Sequence, residues 1–89
     1  MDISDWRKRI EELDQKLVEF FNERSRCAAE IGRLKWNAGV SLYQPDRERE
    51  ILERVQQLNG GPLGNAALKR LFERILDETR VVEQEAYEE

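Results

Sequence analysis

The sequence contains no histidine at all, a single cysteine (Cys27), two prolines and five glycines in 89 residues. Without histidine there is no Ser-His-Asp or Cys-His machinery, no imidazole general base and no histidine-based metal site. One cysteine builds neither a zinc site nor an intramolecular disulfide, and it suits a reducing cytoplasm. No run approaches 18 uncharged apolar residues, so no membrane span is expected, and Met1-Asp2 does not open a signal peptide. Gly60-Gly61-Pro62 lacks the lysine and the preceding strand of a phosphate loop. What is present is charge: 38% of residues are charged against 39% apolar, with 15 Lys+Arg and 19 Asp+Glu for a net −4. That balance argues against a nucleic-acid partner. Four of the acids (Glu83, Glu85, Glu88, Glu89) fall in the last seven residues, so the first 82 carry equal numbers of each sign. Any chemistry must come from charges and hydrogen bonds, with no metal and no cofactor.

The apolar pattern is helical throughout, and the expected fold is all-α, a single domain of three helices over residues 1–89. Ile3, Trp6, Ile10, Leu13, Leu17, Phe20, Cys27, Ile31 and Leu34 keep a three-four spacing, which predicts one long helix over about 4–38. Asn37-Ala38-Gly39 stops it, with glycine supplying a left-handed cap. Pro45 near a first helical position, with Asp46 as cap, opens a second helix over about 46–59 with the face Ile51, Leu52, Val55 and Leu58. Asn59-Gly60-Gly61-Pro62 ends it, and Asn65 is expected to cap a third helix over about 65–86. Tyr87-Glu88-Glu89 are expected to fray. A first helix about 50 Å long exceeds what 89 residues can cover, so its stripe is expected to pack on a second copy. Trp6, Phe20 and Phe21 read as core residues, and Cys27 as a small apolar one.

Polar residues interrupt the apolar stripes at a few positions. Arg24 occupies the place in the three-four series between Phe20 and Cys27, and Lys35 returns to that face 11 residues later, within about 20°. Glu48 shares the face of Ile51, Leu52 and Val55. On the third helix, Thr79 and Glu83 lie at about 20° and 60° from Leu68, inside the apolar arc, while Gln84 faces away. Charges placed so are costly unless paired with one another or with a ligand. Two readings stay open from spacing: internal ion pairs that fix helix register, or a cation-rich pocket between helices for a small anion. Arg7 lies about 25 Å along the axis from Arg24 and cannot share its pocket within one helix, but an antiparallel second copy would bring it there.

Several stretches carry a more specific signal: Trp6-Arg7-Lys8-Arg9-Ile10, Asn22-Glu23-Arg24, Glu30-Ile31-Gly32-Arg33-Leu34-Lys35, Pro45-Asp46-Arg47-Glu48-Arg49-Glu50 and Leu71-Phe72-Glu73-Arg74-Ile75. In this order and spacing the sequence resembles the all-helical class of chorismate mutases over essentially its full length. The resemblance implies an intertwined cytoplasmic homodimer and an isomerase that converts chorismate to prephenate by an intramolecular Claisen rearrangement. It implies that Arg7 crosses from the partner copy to one substrate carboxylate and that Arg24 holds the other. Lys35 would donate to the ether oxygen and a carboxylate, Glu48 would accept from the ring hydroxyl, Arg47 would support the wall, and Thr79 would add a hydroxyl contact. Glu83 matches the position that donates to the ether oxygen from the other side, where many members carry Gln; a carboxylate there must hold a proton to help. Gln44 stands where an acid is common, a harmless change if that position offers its backbone to the substrate hydroxyl. Rival readings are an isochorismate-pyruvate lyase of the same fold, a weakly active module regulated by a larger shikimate-pathway enzyme, or a plain helical dimerisation domain. Both a stand-alone chain and the mutase part of a bifunctional enzyme fit the resemblance.

Overall fold

The structure, a computed structural model, describes residues 1–87. It consists of α1 (Ile3–Ala38), α2 (Pro45–Leu58) and α3 (Asn65–Tyr87), with no strand among the described residues. Helix α1 starts in a capping box: Asp2 accepts from the Asp5 amide at 3.0 Å while Asp5 accepts from the Asp2 amide at 2.9 Å. It stops at Gly39, whose φ of 67° is the left-handed cap, and the Val40 amide closes the end on the Lys35 carbonyl at 2.9 Å.

The other two helix starts depart from expectation. Gln44, not Asp46, occupies the N-cap of α2 and makes no side-chain cap bond; Pro45 opens the helix, and Asp46 falls in its first turn near the positive end of the dipole. Asn65 lies inside α3, which Gly64 precedes, and its side chain accepts from Asn59 Nδ2 at 2.7 Å. That bond uses the oxygen a cap would have offered. Tyr87 is the last residue of α3, with its ring edge-on to Trp36 at 4.7 Å. Glu88 and Glu89, also expected to fray, lie outside the described residues.

Helix α3 is the shared wall of the molecule. It packs on α1 and on α2, whereas α1 and α2 stand apart across it. The closest approach is at Gly32: a Cβ there would sit 2.6 Å from the Glu83 carbonyl oxygen and 3.0 Å from the Glu83 Cα. Only glycine lets the two backbones meet at that level. Around it the buried core is small, made of Ala28, Leu76 and Ala86.

The rest of α1 has no cover. A helix of 36 residues is about 54 Å long, which matches the 54 Å long axis of the chain. The radius of gyration is 16.0 Å, against about 12 Å for a compact chain of this length. Every residue from 1 to 23 is exposed. Trp6, Phe20 and Phe21, expected in the core, are 56%, 60% and 46% exposed, and Ile10, Leu13 and Leu17 are open beside them. The apolar stripe is real, but within one chain nothing reaches it.

Candidate active site

Where α1 and α2 diverge over α3, they leave a cleft of about 800 Å³, a volume typical of small-molecule sites. Each helix contributes charge to it. Arg24 and Lys35 come from α1, Arg47 and Glu48 from α2, Thr79, Arg80 and Glu83 from α3, and Gln44 from the segment before α2. Apolar Ile31, Ile51 and Leu76 line the spaces between. Of the eight residues singled out from the sequence, seven border this one cavity; Arg7 alone does not.

The ionic groups are held in a network that crosses between elements. Lys35 Nζ donates to Glu83 Oε1 at 3.2 Å and to the Leu42 carbonyl at 3.0 Å. Both side chains of this pair are mostly buried, at 14% and 9% exposed. An ammonium has three donors, so one remains beyond these two bonds. Arg24 donates to the Thr79 hydroxyl, which in turn gives its own proton to the Ile75 carbonyl at 2.7 Å. Thr79 in this arrangement is an acceptor that props the Arg24 guanidinium in place. Among the described residues, no buried side-chain polar atom lacks a partner.

Glu48 is engaged by a residue that its sequence position did not single out. Nη1 of Arg80 reaches both Glu48 oxygens, at 2.5 and 2.7 Å, while Nη2 bonds Asp77. The Tyr43 ring lies 5.6 Å from the guanidinium carbon. The hydrogen bond that Arg80 donates to Glu48, with added attraction from Glu48, Asp77 and Tyr43, raises the Arg80 pKa above its ordinary value despite some desolvation. On the helical wheel Arg80 falls about 120° from Leu68, at the edge of the apolar arc, one turn before Glu83. A long side chain at the margin of an arc reaches inward, and that is the sequence signal for it.

Arg47 and Glu50 pair at 3.3 Å on the exposed rim, where such pairs are worth little. Gln44 offers its backbone, its carbonyl accepting from the Glu48 amide at 3.2 Å. Cys27 is exposed and borders the cleft instead of filling a seam. Glu83 is buried and Gln84 exposed, as their wheel positions require.

Comparison with known proteins places the chain in a family. The family model for chorismate mutase type II matches residues 6–84. The chain belongs to that family. A chorismate mutase of Thermus thermophilus (form II) has the same fold, with a TM-score of 0.90 and 30% identity over 92% of this chain and 93% of that one. A chorismate mutase of Helicobacter pylori, solved in complex with prephenate, superposes with a TM-score of 0.88 and 26% identity, covering 98% of this chain and 94% of that one. Over 83 residues the chain is 40% identical to the bifunctional chorismate mutase/prephenate dehydratase of Pseudomonas aeruginosa, taking in 88% of this chain but 23% of that protein. The chain thus spans about a quarter of the length of the curated relatives it matches first.

Proposed function

We propose that this chain catalyses the rearrangement of chorismate to prephenate in the cleft, as a homodimer in which each cleft is completed by Arg7 of the other copy. The observation that carries the reading is the convergence of Arg24 and Lys35 on one cavity of ligand size, fixed by Thr79, Glu83 and Leu42. The reaction breaks one C–O ether bond and forms one C–C bond within the same molecule. It therefore requires no nucleophile and no external donor of atoms or electrons, which suits a chain without histidine. It does require that a flexible dicarboxylate be held in a compact diaxial shape, and that negative charge on the ether oxygen be stabilised as the bond breaks. Fixed cations serve both needs.

In this reading Arg24 clamps one carboxylate and Arg7 of the second copy the other. Lys35 turns its remaining donor to the ether oxygen. Glu48 accepts from the ring hydroxyl, and the Gln44 backbone lies close to the same group. Thr79 acts chiefly by holding Arg24, and Arg47 supports the rim. Glu83 accepts from Lys35 and borders the same space, where it faces the ether oxygen from the other side. A low-end enzymatic acceleration of about 10⁶-fold, or about 8 kcal/mol, is what such a site must supply.

The second copy is argued from the uncovered stripe on α1. Contiguous apolar surface this large marks an interface, and an antiparallel partner would bring residue 7 of one copy alongside residue 24 of the other. The single cysteine and a biosynthetic reaction of this kind fit the cytoplasm. No helix among the described residues is long and apolar enough to cross a membrane.

The test is chorismate disappearance with product analysis, run on the wild type and on Lys35→Ala. Prephenate from the wild type and at least about 100-fold slower turnover in the variant are expected, the size of effect seen when one preorganised donor is removed from a developing oxyanion. Equal rates for the two proteins, or salicylate and pyruvate from isochorismate with no prephenate from chorismate, would overturn the proposal.

A further inference from the structure

We propose that Arg80 is a positioning residue: it sets the direction of the Glu48 carboxylate and neutralises it, so that Glu48 can take the hydroxyl of an anionic substrate. The inference rests on the proposed function, which assigns that hydroxyl to Glu48, and extends it to a side chain that no motif of the resemblance includes. Three observations converge on Arg80. Its Nη1 engages both Glu48 oxygens, which leaves each oxygen a further lone pair for a ligand. Its Nη2 is anchored on Asp77, one turn back on the same helix, so the guanidinium is tied from two sides. Tyr43 lies within cation–π distance and comes from the segment that leads into α2.

The electrostatic need is specific to a cleft that holds acids and receives a dianion. Glu48 and Glu83 both border the cavity. Lys35 balances Glu83, and Arg80 balances Glu48. Without Arg80, an uncompensated carboxylate would face the incoming substrate, and Glu48 would be free to leave the orientation that receives a hydroxyl. The pair is half-buried, with Arg80 37% and Glu48 22% exposed, so solvent screens it only in part. Arg80 acts through Glu48 and is not expected to touch the reacting atoms.

A purely structural role, in which Arg80 only ties α2 to α3, makes a different prediction. The separating measurement compares chorismate with an analogue that lacks the ring hydroxyl, on the wild type, Arg80→Met and Arg80→Lys, with thermal unfolding followed in parallel. Misplacing a recognition group by about 1 Å costs on the order of 100-fold, so Arg80→Met should lose about 10- to 100-fold in kcat/KM on chorismate. On the hydroxyl-free analogue the loss should be no more than a few-fold. Arg80→Lys keeps the charge but lacks the fork that spans Glu48 and Asp77, so it should recover only part of the chorismate activity. Equal losses on both substrates, or full rescue by lysine, would overturn the positioning role while leaving the mutase reading intact. If Arg80→Met does not fold, Asp77→Asn, which loosens the anchor alone, must show the same substrate-dependent loss or the inference fails. A wild type that leaves chorismate unconverted removes the proposed function, and this inference with it.

Discussion

Replacing Gly32 with alanine sets two opposed effects against each other, and the structure says which should win. On an exposed helix the change would stabilise the protein by up to about 1 kcal/mol, because alanine is the better helix former. At this position the new Cβ would meet the Glu83 carbonyl oxygen at 2.6 Å, whereas ordinary contact begins at 3.4 Å. The two helices must therefore part by about 0.8 Å, the difference between those distances. The atoms in the way are backbone, so no side-chain rotation relieves the clash. Overpacking of this kind costs about 1–3 kcal/mol, which exceeds the propensity gain. A net destabilisation of about 1 kcal/mol lowers the melting temperature of a chain this size by roughly 4–8 °C.

The same displacement has a chemical consequence. Glu83 contacts Lys35 at 3.2 Å, and moving its backbone by most of an ångström takes that bond beyond hydrogen-bonding range. Activity should fall by on the order of 100-fold, the cost of misplacing a positioned group by about 1 Å. The assay is thermal unfolding by circular dichroism at a fixed protomer concentration, since the proposed dimerisation would couple stability to concentration, together with chorismate turnover on the same samples. A Gly32→Ala protein that melts higher than the wild type and keeps full activity would refute the claim that α1 and α3 touch here through their backbones.

The cleft and the stripe each supply a further test. Glu83→Gln, which places an amide donor where a carboxylate would repel the developing charge on the ether oxygen, should raise turnover of chorismate, and an unchanged or lower rate would exclude Glu83 from contact with that oxygen. Leu17→Asp should change the stability of an isolated chain by no more than about 0.5 kcal/mol, because Leu17 is already half-exposed there. In a dimer the charge would be buried without a partner, so sedimentation should show a shift to monomer and activity should drop with it; an unaltered assembly would mean that this face of α1 is not the interface.

The fold class was legible because helical periodicity is a local property. The spacing of Trp6, Ile10, Leu13 and Leu17 reports a helix whether or not anything covers it, and Gly39 reports its end because few other residues enter the left-handed region readily. The inward placement of Glu83 was legible for the same reason. Partner choice was not. Asn65 and Asp46 have the chemistry of caps, yet the chain enters each helix earlier than they would require, and competing bonds to neighbours are invisible in one dimension. Arg80 was missed because it lies at the margin of the α3 arc, and its pairing with Glu48 depends on where α2 comes to rest against α3. The expectation that Trp6, Phe20 and Phe21 are core residues assumed cover that one copy does not provide.

The central claim is that a working cleft draws its cations from two copies of the chain, and mixing two inactive variants tests it most directly. Arg7→Ala and Arg24→Ala should each be nearly inactive alone. Refolded together, they form mixed dimers in which one cleft has Arg24 from its own copy and Arg7 from the other, while the second cleft has neither. The account predicts that the mixture regains prephenate formation approaching one quarter of the wild-type rate, half of the dimers being mixed and half of the clefts in each being intact. A mixture no more active than its two components, with mixed dimers shown to be present, would contradict it.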